Sequence, residues 1–241
     1  WVLERWDARY GTEAVDKWCK QNNEPPALYC VLAPNHMDLR QAWEQQGVDS
    51  EPVHFQGKEI LNVYRLGGDV KPIPQLAGFD EGYFWVQDVA SVLSADLVQG
   101  KRGSHVIDAC AAPGGKTLRL LSSGYDVTAV DESGKRLRRL RQNMSRMGFN
   151  PTIHRHDWTK GPMSEALSDA VLVDAPCTGL GTVRRKPEIR WRRTPLDLLQ
   201  NVATQKQILE GASQQVKSGG TLVYSVCSPE PEEGTLQIEE F

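Results

Sequence analysis

The chain has 241 residues, of which 39% are hydrophobic and 24% are charged, and its formal net charge is −3. This composition is typical of a globular protein with one large domain, or one large and one small domain, whose core needs no disulfide or metal. The sequence has no run of eighteen apolar residues and no charged-then-apolar leader, so we expect neither a membrane span nor export.

The cysteines give a further indication of the compartment. The five cysteines are Cys19, Cys30, Cys110, Cys177 and Cys227. An odd number with irregular spacing argues against a disulfide framework, and no Cys or His pair has the spacing of metal ligands. We therefore expect a cytoplasmic monomer with no metal and no membrane partner.

The first third of the chain predicts a small α+β domain. The predicted elements are an amphipathic helix over residues 1–10, a strand at 27–32, a helix at 39–46, and short strands around 53–55 and 60–64. Such a mixture is typical of an α+β unit. The Pro- and Gly-rich residues 67–82 predict a linker. We place the small domain and its linker at residues 1–85.

From residue 86 to residue 241 strands and helices alternate. The predicted elements are a helix at 86–98, a strand at 105–110, a helix at 117–122, a strand at 125–131, a helix at 134–147, strands at 151–156 and 170–174, a helix at 196–216, and a strand at 221–225. This alternation predicts a parallel sheet with helices on both faces, which binds ligands beyond the carboxyl ends of its strands.

The first strand of this sheet ends in a loop of small residues. The loop contains Cys110, Ala111, Ala112, Pro113, Gly114, Gly115 and Lys116. Paired glycines let the backbone approach a ligand, and the following helix offers free N–H groups. A phosphate loop would need glycine where Cys110 stands, and the dinucleotide pattern of three glycines is absent.

Acidic residues end the next three strands. They are Asp131, Asp157 and Asp174. A carboxylate at the end of the second strand is well placed to accept the hydroxyls of a ribose. Three such carboxylates beside a loop without a phosphate signature suit a cofactor with a ribose and an adenine but no phosphate. S-adenosylmethionine fits that description.

Two cysteines follow the last two strands, Cys177 after Asp174 and Cys227 after Ser225. A thiolate that adds to carbon 6 of a pyrimidine makes carbon 5 electron-rich, so that carbon 5 can accept a methyl group. Asp174 could hydrogen-bond the ring at N3 or N4 and stabilise the adduct. This chemistry does not say which thiol is the nucleophile.

Two basic stretches stand out against the acidic net charge. Residues 135–141 have leucines at helical spacing, so we interpret their arginines as a solvated helix face. Residues 184–193 follow a glycine-rich loop without helical periodicity and predict an RNA-binding segment. Its candidate residues are Arg184, Arg185, Lys186, Arg190 and Trp191. Trp191 would either stack on a base or pack in the core.

Together these motifs resemble the RNA cytosine-5 methyltransferases of the NOL/Sun type, and within them the bacterial small-subunit ribosomal RNA cytosine-5 methyltransferase B group. The matching runs are residues 108–117, 129–131, 174–177, 184–191 and 224–228, with Glu232 and Glu233. The resemblance implies a Rossmann-like class I S-adenosylmethionine-dependent methyltransferase sheet over residues 86–241, preceded by a small α+β domain that binds RNA. It also implies further strands beyond the last predicted one.

The resemblance assigns roles to the candidate residues. Residues 110–116 would wrap the methionine end of the cofactor, Asp131 would hold the ribose, and Asp157 the adenine amino group. Asp174 would serve both cofactor and base. Cys227 would be the nucleophile and Cys177 would help to release the product. The substrate would be a cytosine in ribosomal RNA.

The chain departs from the family pattern at two places. Val226 stands where the family has threonine, and Cys30-Val31-Leu32 stands where it has an Arg-x-Asn run that contacts RNA. Two alternatives therefore stay open: the same chemistry on transfer RNA, and a catalytically silent RNA-binding or ribosome-assembly factor.

Overall fold

The computed structural model describes the whole chain, Trp1–Phe241, and contains two sheets. The strands of the first sheet are β1 (Leu28–Leu32), β2 (Val48–Phe55), β3 (Lys58–Gly68) and β4 (Phe84–Val86). They are antiparallel, in the order β2-β3-β1-β4. The strands of the second sheet are β5 (His105–Asp108), β6 (Asp126–Asp131), β7 (Thr152–Arg155), β8 (Ser168–Asp174) and β9 (Val216–Ser225). They are all parallel, in the order β7-β6-β5-β8-β9.

Nine helices accompany the sheets. They are α1 (Val2–Tyr10), α2 (Thr12–Asn22), α3 (Leu39–Gln45), α4 (Val89–Asp96), α5 (Gly115–Ser122), α6 (Gly134–Arg146), α7 (Ile189–Arg192), α8 (Pro195–Ser213) and α9 (Thr235–Glu239). None of them is both long enough and apolar enough to cross a bilayer.

The parallel sheet is covered on both faces, as the apolar runs in its central strands predict. On one face Ile107 and Val171 pack against Ile208 and Ala212 of α8. On the other face, alternate residues of the same strands pack against α4 and α5, among them Val106 and Leu172 against Ala95 and Leu120. Because the strands are parallel, the carboxyl ends of β5, β6, β8 and β9 lie side by side at one end of the sheet.

The helix predicted at residues 86–98 begins later than expected, and that prediction is corrected at its start. Residues 84–86 form β4, in which Trp85 pairs with Val31 and Phe84 with Leu32 of β1. The side chain of Asp88 then accepts a hydrogen bond from the Ala90 N–H at 2.9 Å and caps α4. An N-cap residue lies outside the helix, so α4 starts at Val89.

The segment predicted as a linker packs against the first sheet. Leu76 is buried, and the Trp43 indole donates a hydrogen bond to the Ala77 carbonyl at 3.0 Å. These residues join the apolar cluster around Trp43, Tyr64 and Phe84. The proposed division of the chain at residue 85 falls inside β4 and stays a prediction.

The two N-terminal helices lie away from the first sheet. Trp6 of α1 and Val15 of α2 pack with Leu180, Val183 and Ile189, in the segment that connects β8 to α8. The Trp6 indole donates to Glu230 Oε1 at 2.7 Å, which ties α1 to the residues after β9. The helices therefore brace the two loops that follow β8 and β9.

Candidate active site

A cavity of about 800 Å³ lies beyond the carboxyl ends of the parallel strands. Its walls include both cysteines that follow the last two strands and the acids that end β6, β7 and β8, which lie at positions far apart in the sequence. These residues are Asp131, Asp157, Asp174, Cys177 and Cys227. The predicted cofactor site and the predicted thiol site are thus parts of one cavity.

The loop after β5 lies against α6. Its Ala111 N–H donates to the Val130 carbonyl at 2.9 Å, which joins it to β6. Gly114 has φ +110, and a Cβ atom built on it would lie 2.7 Å from Met144 Cε of α6. Only glycine combines this conformation with this close approach. Cys110 lines the cavity, and burial raises the pKa of its thiol.

Asp131 is buried at the end of β6 and holds three parts of the site together. Its Oδ2 accepts from the Ala112 N–H at 3.3 Å, and its Oδ1 accepts from the Ser133 N–H at 2.9 Å. Arg136 Nη2 lies 3.1 Å from Oδ1. A carboxylate has about four acceptor positions, and these contacts use three of them.

Asp157 lies beside this position, at the start of a short 3-10 turn after β7. Its Oδ1 accepts from the Thr159 hydroxyl at 2.7 Å and from the Thr159 N–H at 3.1 Å. The hydrogen bond from the Thr159 hydroxyl has the largest effect in lowering the pKa of Asp157, and the bond from the Thr159 N–H adds to it. The carboxylate therefore stays charged in the cavity and can accept a hydrogen bond from an amino group.

Cations near the loop are neutralised by carboxylates. Lys116 Nζ lies 2.7 Å from Asp174 Oδ2, and Arg136 pairs with Asp131. The acids that line the cavity fit the hydroxyl and amino groups of a nucleoside cofactor such as S-adenosylmethionine.

Asp174 joins the two halves of the cavity. Its Oδ2 pairs with Lys116, and its Oδ1 accepts from the Ser225 hydroxyl at 3.0 Å. Ser225 ends β9, two residues before Cys227. The carboxylate is half-exposed and so remains open to a ligand on its cavity side.

The two thiols are neighbours: Cys177 Sγ and Cys227 Sγ are 3.3 Å apart. Cys227 is exposed and Cys177 is half-buried. The hydrogen bond from Cys177, aided by the charges of Lys186 and Lys116, lowers the pKa of Cys227 to about 7, although burial and Asp174 oppose the shift. The pKa of Cys177 is raised because it hydrogen-bonds Cys227, is buried and lies near Glu233. Of the two thiols, Cys227 is thus the one whose surroundings favour ionisation.

The predicted RNA-binding residues are distributed over three depressions. Lys186 lines the cavity with the thiols, whereas Arg184 and Arg185 line an adjoining groove of about 940 Å³ that shares Asp174 and Cys227 with it. Arg190 and Trp191 lie in a third depression, against α1.

Three of these arginines also make internal hydrogen bonds. Arg184 Nη2 donates to the Pro25 carbonyl at 2.8 Å, Arg185 Nη2 lies 2.6 Å from Asp88 Oδ2, and Arg190 Nη2 donates to the Asn22 carbonyl at 2.9 Å. Trp191 is 78% exposed, which excludes its packing in the core. Residues 189–192 form the short helix α7, which lacks enough length to show periodicity in sequence.

Several residues of the site were not predicted. Arg136, Arg192, Arg193 and Thr182 line the cavity, and Thr178 and Glu233 form a buried pair behind the thiols. The sequence did point to Arg192 and Arg193 indirectly, because both belong to the basic stretch at residues 184–193. No set of three or more histidine, cysteine or acidic side chains is close enough to hold a metal ion.

The parallel sheet, the glycine loop after its central strand and the acids that follow its strands define the Rossmann-like fold of class I S-adenosylmethionine-dependent methyltransferases, which confirms the predicted fold class. A family model described as 16S rRNA methyltransferase RsmB/F matches residues 95–241. The ribosomal RNA small subunit methyltransferase B of Shigella flexneri is 33% identical and aligns with 100% of this chain and 56% of its own length. The chain belongs to the RsmB/F family, as the resemblance predicted. It spans about half the length of the curated relatives that it matches.

Solved structures share the fold of this chain. The crystal structure of PH0851 has a TM-score of 0.91 and 28% identity, over 100% of this chain and 55% of that one. NSun6 from Pyrococcus horikoshii, solved with SFG, an analogue of S-adenosylmethionine, has a TM-score of 0.84 over 99% of this chain and 85% of that one. Its identity of 21% makes it evidence for the fold alone.

Proposed function

We propose that this chain transfers a methyl group from S-adenosylmethionine to carbon 5 of a cytosine in small-subunit ribosomal RNA, through a covalent bond between Cys227 Sγ and carbon 6. The observation that carries the proposal is the pair of thiols, 3.3 Å apart, in the wall of the cavity that also contains Asp131 and Asp157. A nucleophile and a nucleoside-binding site that share one cavity suit a covalent methyl transfer.

The cofactor-binding roles that the resemblance implies are compatible with the geometry of the cavity. Residues 110–116 would surround its methionine end, Asp131 would accept a ribose hydroxyl, and Asp157 would accept from the adenine amino group. Asp174 would contact both the cofactor and the target base. When bound, S-adenosylmethionine supplies an electrophilic methyl group.

The chain's own part in the reaction begins at Cys227. Its thiolate Sγ would add to carbon 6 of the cytosine, and the electron pair of the C5–C6 double bond would move to carbon 5. Carbon 5 would take the methyl group as the S–CH3 bond of S-adenosylmethionine breaks, with S-adenosylhomocysteine as the leaving group. Asp174, held by Lys116 and Ser225, lines the same cavity as the thiols. It would accept a hydrogen bond from the N4 amino group of the ring, or from N3 once that nitrogen is protonated, and so stabilise the adduct.

Cys177 would act in the release of the product. After methylation carbon 5 carries both a proton and the methyl group. A base removes that proton, the C5–H electron pair re-forms the C5–C6 double bond, and the C6–S bond breaks with its electron pair returning to Cys227. The S–H of Cys177 can donate to the departing thiolate across the 3.3 Å contact and stabilise it as a leaving group.

The RNA would lie over the adjoining groove. The groove and the cavity meet at Cys227, and Arg184, Arg185 and Lys186 line them close to that residue. Their cations would contact phosphates, with Arg190 bracing the segment and the exposed Trp191 able to stack on a base. The target cytosine must leave its stack to reach Sγ, which suits a loop or a single strand.

The test is the fate of the covalent adduct in two cysteine variants. With RNA and S-adenosylmethionine, Cys177→Ala should accumulate a protein–RNA adduct that survives a denaturing gel, because the release step is impaired. Cys227→Ala should form none. Cys19→Ala, which removes a thiol in α2 away from the cavity, should behave like the wild type. An adduct in Cys227→Ala but not in Cys177→Ala would contradict the assigned roles.

A further inference from the structure

Each thiol is followed by a residue with a hydroxyl group, and the two hydroxyls meet. Thr178 follows Cys177, Ser228 follows Cys227, and their Oγ atoms are 3.1 Å apart. The loops after β8 and β9 are therefore joined one residue beyond the contact between the sulfurs. Nothing in the methyl-transfer chemistry described above uses these hydroxyls.

A buried carboxylate anchors this junction. Glu233 is 0% exposed, and its Oε1 accepts from the Thr178 N–H at 2.7 Å and from Gln205 Nε2 at 3.1 Å. Its Oε2 accepts from the Thr178 hydroxyl. Because Thr178 gives its only hydroxyl proton to Glu233, its oxygen can only accept from Ser228. The hydrogen bonds therefore run in one direction, from Ser228 to Thr178 to Glu233.

A second tie lies further along the loop that follows β8. The Gly181 N–H donates to the Cys227 carbonyl at 3.0 Å. A Cβ atom at Gly181 would lie 3.0 Å from that oxygen, so the backbones of the two loops are as close as a glycine permits. The loops are thus joined to each other at two points beyond the sulfur contact.

We propose that Thr178, Ser228 and Glu233 are positioning residues that set the distance and direction of Cys177 relative to Cys227, and that they thereby govern release of the covalent adduct. This inference rests on the proposed function. Its physical basis is a difference in strength. Thiols are weak hydrogen-bond donors and acceptors, whereas buried hydrogen bonds to a carboxylate are among the stronger ones in proteins. The hydrogen bonds to Glu233 therefore hold in place the two loops whose cysteines form the weak contact between the thiols.

The decisive variant is Thr178→Val, which removes the hydroxyl and keeps the shape of the side chain. Thr178→Ser keeps the hydroxyl and should restore wild-type behaviour. Ser168→Ala is the matched control, since it deletes another buried hydroxyl, which bonds the Gln215 carbonyl at the opposite end of β8. We expect Thr178→Val to accumulate adduct several-fold over the wild type on denaturing gels, while Thr178→Ser and Ser168→Ala do not.

A second readout needs neither RNA nor methyl transfer. Iodoacetamide alkylates thiolates, and the alkylation of Cys227 can be followed by peptide mass spectrometry as a function of pH. Loss of the Cys177 contact should raise the pKa of Cys227. Cys227 should therefore be alkylated roughly fivefold more slowly at pH 7 in Thr178→Val than in the wild type. The groups that also face this thiol, Asp174, Lys116 and Lys186, are unchanged in the variant.

The two readouts separate the inference from the proposed function. A Thr178→Val variant with lowered thermal stability but wild-type alkylation and wild-type adduct levels would overturn the inference, since the cluster would then be structural only. If the wild type methylates no RNA but Thr178→Val still alters alkylation, the positioning of the thiols stands and its role in adduct release falls with the proposed function.

Discussion

Cys227 and Cys177 carry the same functional group, and the differences between them come from their neighbours. Cys227 is exposed, near two lysines, and accepts from the other thiol, whereas Cys177 is half-buried beside Glu233. The chemistry of the reaction alone left the two equivalent. The surroundings favour Cys227 as the nucleophile, in agreement with the role that the family resemblance implied.

Asp108 is a second residue whose environment controls its ionisation. It is buried at the end of β5, and Thr117 donates to its Oδ2 at 2.7 Å while Oδ1 has no partner. Burial raises the pKa of Asp108 to about 7, against the opposing effect of the Thr117 hydrogen bond. The folded protein therefore keeps a proton that an unfolded chain would release at lower pH.

This raised pKa makes a prediction about stability. A group that binds its proton more tightly when folded stabilises at low pH, and the stabilisation is lost as pH rises through the folded pKa. Between pH 5 and pH 7, the free energy of unfolding of the wild type should fall by roughly 2 kcal/mol relative to Asp108→Asn, which cannot ionise. Urea unfolding at the two pH values measures the difference. The exposed Asp126→Asn variant serves as the control, and a pH-independent difference between wild type and Asp108→Asn would refute the prediction.

At the scale of elements, the parallel sheet was predictable and the connections were less so. The strands β5, β6, β7 and β8 lie within about two residues of their predicted limits, because apolar runs bounded by Gly, Asp and Pro mark buried strands clearly. β4 was missed because its three residues precede apolar positions that continue with helical spacing. α2 was not predicted, since its apolar residues pack against a segment more than 150 positions away.

The site shows the same division between local and distant information. The acids and thiols were predicted because each follows a strand, and parallel strands bring their carboxyl ends together. The pairing of Thr178 with Glu233 joins residues separated by 55 positions. It depends on how the chain folds back after β9, which no local pattern encodes.

The loop after β5 offers a test of this architecture. In Gly114→Ala the new methyl group would meet Met144 in a backbone conformation that costs free energy for any residue but glycine. We expect a loss of about 1–3 kcal/mol of stability. We also expect weaker binding of S-adenosylmethionine, measured by calorimetry.

Gly134→Ala is the matched control for that substitution. Gly134 begins α6, and a Cβ atom there has no neighbour within 4 Å. The change should alter stability by less than about 0.5 kcal/mol and leave cofactor binding intact. Equal effects of the two alanine substitutions would show that the close approach of the loop to α6 is unimportant.

At the scale of the whole molecule, the two sheets share one apolar core. Val31, Val63 and Trp85 of the first sheet pack in the same cluster as Leu140 and Met144 of α6. Because α6 also bears on the Gly114 loop, the first sheet lies behind the cofactor end of the cavity. The first sheet is thus placed to support the site.

The N-terminal helices act at the opposite end of the cavity. Arg5 and Arg9 lie 2.9 Å and 3.5 Å from Glu230 Oε2, a buried oxygen three residues after Cys227. A buried carboxylate needs such partners, since leaving it unpaired would cost several kcal/mol. Both flanks of the thiol pair are therefore held by parts of the chain distant in sequence.

The measurement that tests the central claim most directly is transfer of labelled methyl from S-adenosylmethionine to unmodified small-subunit ribosomal RNA, with nucleosides identified after digestion. The wild type should yield 5-methylcytidine, and Cys227→Ala, which retains the cofactor site, should yield none. Label in any other nucleoside, or undiminished 5-methylcytidine from Cys227→Ala, would contradict the account. Label on transfer RNA but not on ribosomal RNA would keep the chemistry and replace the proposed substrate.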